Sequence, residues 1–305
     1  MLHARYPFRA MGSPCELYLY GENRALCDAL SELAIGEVRR LEQKYSRYRD
    51  DSVTSAINRS AGDSAGVAID DETAGLLDYA DTAFASSDGL FDPTSGVLRR
   101  VWNFKSGRVP APHELDAVLP LVGWSRLSWQ RPRLVLPLAG MELDFGGFVK
   151  EYAADRAVEL CRRRGARHGM VDLGGDLAVI GPHADGKPWI VGIRDPRAPK
   201  GAMASVRLAA GGIATSGDYE RCMVVDGVRY THVLDPRTGW PVTGLRSVSV
   251  VADQCLVAGT ATTVAMLKGA LAGARWLDEL GLPSLRMDDA GEISGTLASA
   301  ERDAA

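Results

Sequence analysis

Apolar and polar residues alternate from Pro14 to Tyr20, which predicts a strand over 14–20. Asn23 then stands where a helix cap belongs. Leu26, Leu30, Leu33, Val38 and Leu41 recur at helical spacing with charges opposite, so a helix follows. Ser46 to Asn58 is polar and leads into a short apolar turn. Asp71 is placed to cap a second helix through Leu76, Leu77, Ala80 and Phe84, stopped by Asp88-Gly89. Five prolines make 106–140 loop-rich, with a short strand at Leu134-Val135-Leu136. A further helix runs from Lys150 to Arg163, carried by Tyr152, Ala153, Ala157, Leu160 and Cys161.

Beyond it the period shortens to two. Met170 to Leu173, Leu177 to Ile180, Trp189 to Ile193, Ser205 to Leu208, Gly212 to Thr215, Cys222 to Val225 and Ser247 to Val251 read as strands. Tyr230 to Leu234 reads as another, half-buried. Two apolar helices close the chain, at Val257 to Leu267 and Leu271 to Glu279, and 294–305 reads as a frayed tail. Several strands follow one another without an intervening helix. The expected class is therefore α+β with a mixed or largely antiparallel sheet, as one domain over 1–305, and not a doubly wound fold.

Composition narrows the function classes. The 305 residues are 46% hydrophobic, enough for a sizeable core, and the net charge of −4 lacks the basic footprint of a nucleic-acid binder. Arg162-Arg163-Arg164 fits a solvated helix C-terminus. The cysteines at 15, 27, 161, 222 and 255 are odd in number and show no CxxC spacing, so they read as free thiols of a reducing compartment. The N-terminus has no apolar targeting region, and no window suggests a membrane span of about 18 apolar residues. A cytoplasmic protein is the expectation.

The residues with chemistry fall in a few segments. Ile213 to Arg221 followed by Tyr230 to Gly239 collects hydroxyls (Thr215, Ser216), Gly217, carboxylates and one histidine between strand-like runs. That is a wall suited to a phosphorylated ligand. Asp144-Phe145-Gly146-Gly147-Phe148-Val149-Lys150 runs from a strand end through a glycine turn into a helix. Such a turn lets backbone groups approach an anion, and Lys150 adds a mobile charge; an ordinary turn with a surface lysine fits too. Asp172-Leu173-Gly174-Gly175-Asp176 reads equally as a hairpin turn or a ligand-facing loop. Gly89 to Gly96 holds Asp92 extended before Pro93. His232 is either a satisfied core group or a base.

The order of these segments, together with Met11-Gly12-Ser13 and Ser46 to Ser52, resembles the ApbE family over residues 7 to 285. The resemblance implies an FAD cleft between a core layer and a cap-like part. It implies metal-assisted cleavage of FAD, with FMN attached through a phosphoester to a threonine or serine of an acceptor flavoprotein and AMP released. By motif, Met11, Tyr48, Leu90, Phe91, Asp92, Asp144, Lys150 and Leu234 are implied flavin-nucleotide contacts, Tyr48 by stacking. His232 takes the place of the family's base toward the acceptor hydroxyl. The implied metal, magnesium, is held by the carbonyl at Gly147 and by an aspartate and a threonine of a helix. Here Thr263 falls on the threonine, Thr262 adds a hydroxyl, and Gly259 falls on the aspartate.

The missing carboxylate matters because magnesium usually keeps one or two. FAD's own phosphates, Asp144 or Asp235 would have to complete the metal shell. A second departure is Lys150-Glu151 where many members have Lys-Gly; the charge of Glu151 suits a helix N-terminus but would repel a pyrophosphate unless it points away. A third is the lack of the leader that many exported members carry. Two further functions stay open: a flavin-binding protein without transfer activity, and an FAD pyrophosphatase. Ile293 to Thr296 is too short a match for an acceptor motif.

Overall fold

The computed structural model describes residues 1–219 and 221–299. In chain order its elements are β1 (Leu2–Ala10), β2 (Ser13–Gly21), α1 (Arg24–Tyr45), α2 (Val53–Arg59), β3 (Val67–Ala68), α3 (Asp71–Ser86), α4 (Pro112–Val118), β4 (Ser128–Gln130), β5 (Arg133–Val135) and α5 (Val149–Arg163). There follow β6 (Gly169–Leu173), β7 (Asp176–Gly181), β8 (Trp189–Asp195), β9 (Ala198–Leu208), β10 (Gly212–Gly217), β11 (Cys222–Val225), β12 (Val228–Thr231), β13 (Leu245–Ala252), α6 (Cys255–Glu279), β14 (Ser284–Asp288) and β15 (Ile293–Ser294).

Eight strands form the main sheet in the order β1-β2-β6-β7-β10-β13-β14-β15, and every neighbouring pair is antiparallel. The α+β expectation holds, with the antiparallel form of the sheet. Strand β1 has no counterpart in the sequence reading. Its partner β2 supplies the pairing, and half of its side chains face solvent.

Both faces of the sheet are covered. Ala178 and Ile180 of β7 point into a core shared with α1, α5 and α6, while Leu177 and Val179 point into a second core under the β8–β9 hairpin. Side chains alternate across a strand, so a doubly covered strand is buried throughout, as β7 is. A third cluster joins Val97, Leu98, Trp102, Leu115 and Val118 to Met223 of the β11–β12 hairpin, away from the sheet.

The caps follow local chemistry. Asn23 accepts from Leu26 N–H at 2.9 Å and starts α1. The cap of α3 is Asp70, which accepts from Thr73 N–H, rather than the expected Asp71; an acidic first turn lets either aspartate fit by sequence. Leu26 is exposed, and Cys27 takes its place on the buried face of α1. The two expected C-terminal helices run together as α6, interrupted at Gly269 with φ 77°. An 18-residue window of α6 has mean hydropathy 1.5, so this helix is long and apolar enough to cross a membrane, contrary to the sequence reading. Its buried residues, among them Leu256, Val264 and Met266, pack on the helical side of the sheet. Part of the expected frayed tail is ordered: β15 pairs with β14, and a 3-10 turn covers Thr296–Ser299. Residues 300–305 of that tail lie outside the described residues. All five cysteines are free thiols.

Candidate functional site

The turn from Asp144 to Lys150 ties two groups of side chains together. Asp144 caps a 3-10 turn over Phe145–Gly147 by accepting from Gly146 N–H at 2.8 Å. Its other oxygen accepts from Arg47 at 3.0 Å and lies 3.4 Å from Arg99. Arg47 also donates to Glu142 at 2.7 Å and to the Gly96 carbonyl at 3.0 Å. Gly96 is required here, since a β-carbon on it would lie 2.5 Å from Asp144 Cβ. Asp144 is thus a fixed, half-buried carboxylate held by two guanidiniums.

His232 stands one residue past β12, so the expected strand through Leu234 ends early. Pairing with β11 stops at Thr231, and a bridge between Leu234 and Pro241 starts a separate turn. The Arg221 carbonyl accepts the His232 backbone N–H at 3.0 Å and faces Nδ1 at 3.1 Å. A carbonyl only accepts, so Nδ1 carries the proton and Nε2 is left as the basic nitrogen. Burial, then Arg221 and Arg99, pulls the imidazole down to about 4, which keeps it neutral near pH 7.

The second group lies where the start of α5, the middle of α6, the start of β7 and the end of β10 meet. The β6–β7 turn settles the two aspartates that the sequence left ambiguous. Gly174 and Gly175 take φ 69° and 96°, and Asp172 accepts from Gly175 N–H at 2.7 Å, so Asp172 is the turn former. Asp176 turns inward. It accepts from Thr215 N–H at 3.1 Å and forms an ion pair with Lys150. Lys150 is therefore not the free surface charge the sequence suggested. Burial works against its charge, but Asp176 and Glu151 outweigh it and hold its pKa above the ordinary value.

Glu151 is buried, and its Oε2 has no hydrogen-bond partner. Burial, and next Asp176, pushes its carboxyl well above the ordinary range. A β-carbon at Gly259 would lie 2.5 Å from Glu151 Cγ and 2.9 Å from its carboxylate carbon. The first turn of α5 thus aims Glu151 at α6. On α6 itself, Thr262 donates to the Gly259 carbonyl at 2.8 Å. Ser216 Oγ stands 2.8 Å from the Thr262 hydroxyl and 3.4 Å from that of Thr263. Thr215 pairs with Ser249 at 2.7 Å. Gly147, at the exposed end of the 3-10 turn, leaves its backbone open.

The remaining expected contacts are distributed around this centre. Leu90 and Phe91 are buried, Phe91 with its ring 5.8 Å from that of Phe148. Asp92 is spent locally: one oxygen accepts from the Thr94 N–H and hydroxyl, the other from Trp124 N–H. It contributes to the wall of a cavity of about 400 Å³ that Asp88, Gly89, Gly123, Trp124 and Arg237 also line. Met11, at φ 54° in the β1–β2 turn, packs on the main core, and its N–H donates to Glu42. Tyr48 is 83% exposed, its ring open to any planar partner. Leu234 is half-buried against the third cluster. Of the substitutes expected for the missing aspartate, Asp144 is engaged by arginines and Asp235 accepts from Arg237 N–H at 2.8 Å. Among the described residues no three His, Cys, Asp or Glu side chains cluster to hold a metal, so any cation here draws on hydroxyl and carbonyl oxygens as well.

The sequence reading missed the roles of Arg47, Arg99 and Glu151. Arg47 was visible only as the neighbour of Tyr48. Glu151 carried a signal, its place beside Lys150, but its direction depends on the packing of α5 on α6.

The profile of the ApbE family matches residues 11–285. The FAD:protein FMN transferase of Treponema pallidum is 33% identical over 281 residues, 85% of this chain and 77% of that protein. The ApbE protein of Thermotoga maritima superposes with a TM-score of 0.89 at 30% identity, covering 96% of this chain and 97% of that one. The apo flavinyl transferase ApbE of Pseudomonas stutzeri superposes at 0.86 with 28% identity, covering 97% and 95%. A profile matched over most of the sequence, and relatives this similar in residues and in fold, show that this chain belongs to the ApbE family.

Proposed function

We propose that the protein is an FAD:protein FMN transferase. Family membership sets the reaction class, and His232 is the observation that carries it to this chain. Its tautomer is fixed by the Arg221 carbonyl, so a neutral Nε2 is available to take a proton.

In the reaction, a threonine or serine hydroxyl of the acceptor protein attacks the FMN-side phosphorus of FAD. His232 Nε2 takes the hydroxyl proton as the new phosphoester bond forms. The bond from that phosphorus to the bridging oxygen breaks, and AMP leaves with the electron pair. The N-terminal turn of α5, which has no side-chain cap, provides positive potential for the pyrophosphate, and Lys150 beside it is balanced by Asp176. Arg47 and Arg99 hold Asp144 at the edge of the glycine turn. Ser216 reaches the α6 hydroxyls from β10, while Thr215 faces the other side of that strand and meets Ser249.

The residues fit a hard divalent cation such as magnesium, because a buried carboxylate oxygen without a partner adjoins a set of hydroxyls. The Gly147 carbonyl and the Thr263 hydroxyl would hold it, with Thr262 behind them. A bound cation would offset the phosphate charge that repels an incoming alkoxide.

The test is transfer itself. The protein is mixed with FAD, magnesium and a peptide bearing an acceptor threonine, and the peptide is weighed by mass spectrometry. A mass gain of one FMN with matching AMP release is the expected result. FAD binding without any gain, over several acceptors and metals, would reject transfer in favour of the second reading, a flavin carrier, which Gly259 favours. AMP and FMN released without a labelled peptide would mean hydrolysis.

A further inference from the structure

We infer that Glu151 supplies the carboxylate of a divalent-cation site in this chain, reaching from α5 into the space left by Gly259 on α6. The inference deepens the transferase reading and rests on it only for why a cation is needed.

Three observations converge on it. The first is steric. A β-carbon at 259 would stand 2.5, 2.9 and 3.2 Å from Glu151 Cγ, Cδ and Oε1, so the glutamate fills the volume a side chain there would take. The second is electrostatic. Glu151 is more than nine-tenths buried, and Oε2 lacks any partner. A buried carboxylate oxygen left unpaired is costly, and the nearest ammonium, Lys150, is already engaged with Asp176. Two carboxylates thus share one lysine.

The third is the donor set. Thr262 and Thr263 follow Gly259 by three and four residues and therefore share its face of α6. Ser216 joins both hydroxyls from β10. Asp176 completes a group made only of oxygen atoms, with no imidazole. Oxygen donors select magnesium, manganese or calcium over zinc or copper. Among the buried side-chain atoms of this group only Glu151 Oε2 receives no hydrogen bond from a fixed donor, and Asp176 beside it is a second carboxyl.

The experiment is a titration of Mn²⁺ into the full chain, alone and saturated with FAD, followed by the electron paramagnetic resonance signal of free Mn²⁺. Free FAD serves as the blank. Wild type is expected to bind one Mn²⁺ per chain. Glu151→Gln keeps the shape of the side chain and should weaken binding by about tenfold or more. Gly259→Asp combined with Glu151→Gly moves the carboxylate back to α6 and should return affinity to within about threefold of wild type. Circular dichroism checks that each variant is folded, and the isosteric Glu151→Gln decides the matter if the double variant does not fold. Mn²⁺ binding by folded Glu151→Gln equal to wild type overturns the inference, as does a wild type that binds no Mn²⁺ in either arm. Failure to bind or transfer FAD would sink the transferase reading separately, since the FAD-free arm still reports on Glu151.

Discussion

Glu151 on α5 and Gly259 on α6 are sterically reciprocal: the carboxylate carbon of the glutamate lies 2.9 Å from where a β-carbon of residue 259 would stand. Neither position is independent of the other. A family-like aspartate at 259 would meet a carboxylate already in place, in a region that is buried on both helices.

That reciprocity makes Gly259→Asp alone destabilising. Overpacking a closed contact costs about 1–3 kcal/mol, and a second buried carboxylate adds to it. Thermal denaturation of Gly259→Asp should give a lower Tm than wild type, and adding Glu151→Gly should recover most of the loss. An unchanged Tm in the single variant would mean that Glu151 swings clear at little cost.

His232→Ala should lower kcat by about 10²–10⁴-fold while leaving the affinity for FAD within a few fold. Stopped-assay kinetics alongside FAD fluorescence quenching separate the two. Equal losses in both would reduce His232 to a binding residue.

The same histidine sets an acid limit. Burial, then Arg221 and Arg99, lowers its pKa from 6.5 to about 4 in the folded chain, so between these values the unfolded chain binds a proton that the folded one refuses. Its contribution to stability is full above about pH 6.5 and is lost as pH falls toward 4. Urea midpoints of wild type should therefore drop over that window more steeply than those of His232→Gln. Parallel curves would remove the histidine as the cause.

Asp155 of α5 should matter for α6. Gln254, at the N-cap of α6, makes no side-chain cap bond, and Asp155 instead accepts from the Cys255 and Leu256 N–H groups at 2.9 Å each. Asp155→Ala should cost about 1–2 kcal/mol, the loss of a helix cap, measured by chemical denaturation. It should lower metal affinity less than Glu151→Gln does.

Arg47→Met leaves Asp144 and Glu142 without their shared half-buried partner. A loss of about 3 kcal/mol is expected, as when one member of a buried ion pair is removed. Denaturation midpoints that match wild type would show that Arg99, beside Asp144, and Arg100, which pairs with Glu142 at 2.6 Å, compensate fully.

Local patterns carried much of this architecture. Strand patterns located β2, β6, β7 and β10 to within a residue or two: β2 by alternation, because its pleat puts every second side chain into a core, and β7 by the apolar run of a strand covered on both faces. Helical spacing found α1, α3 and α5, and Gly269 marked the break in α6. Strand β1 escaped because an edge strand with one exposed face owes its conformation to its partner. Motif order singled out His232, Lys150, Asp144 and Thr263 as candidates, since the glycine turns and the hydroxyl segment are continuous in sequence.

By itself, then, the sequence determined most of the strands and helices, and its motif order singled out position 259. Only the tertiary structure decided where Glu151 points, that Asp176 holds Lys150, and that Ser216 meets the hydroxyls of α6. Periodicity is a property of neighbours along one element. Those three relationships are set by how α5, α6, β7 and β10 pack on one another, and residues on separate elements, far outside any local window of the chain, leave no local trace of meeting.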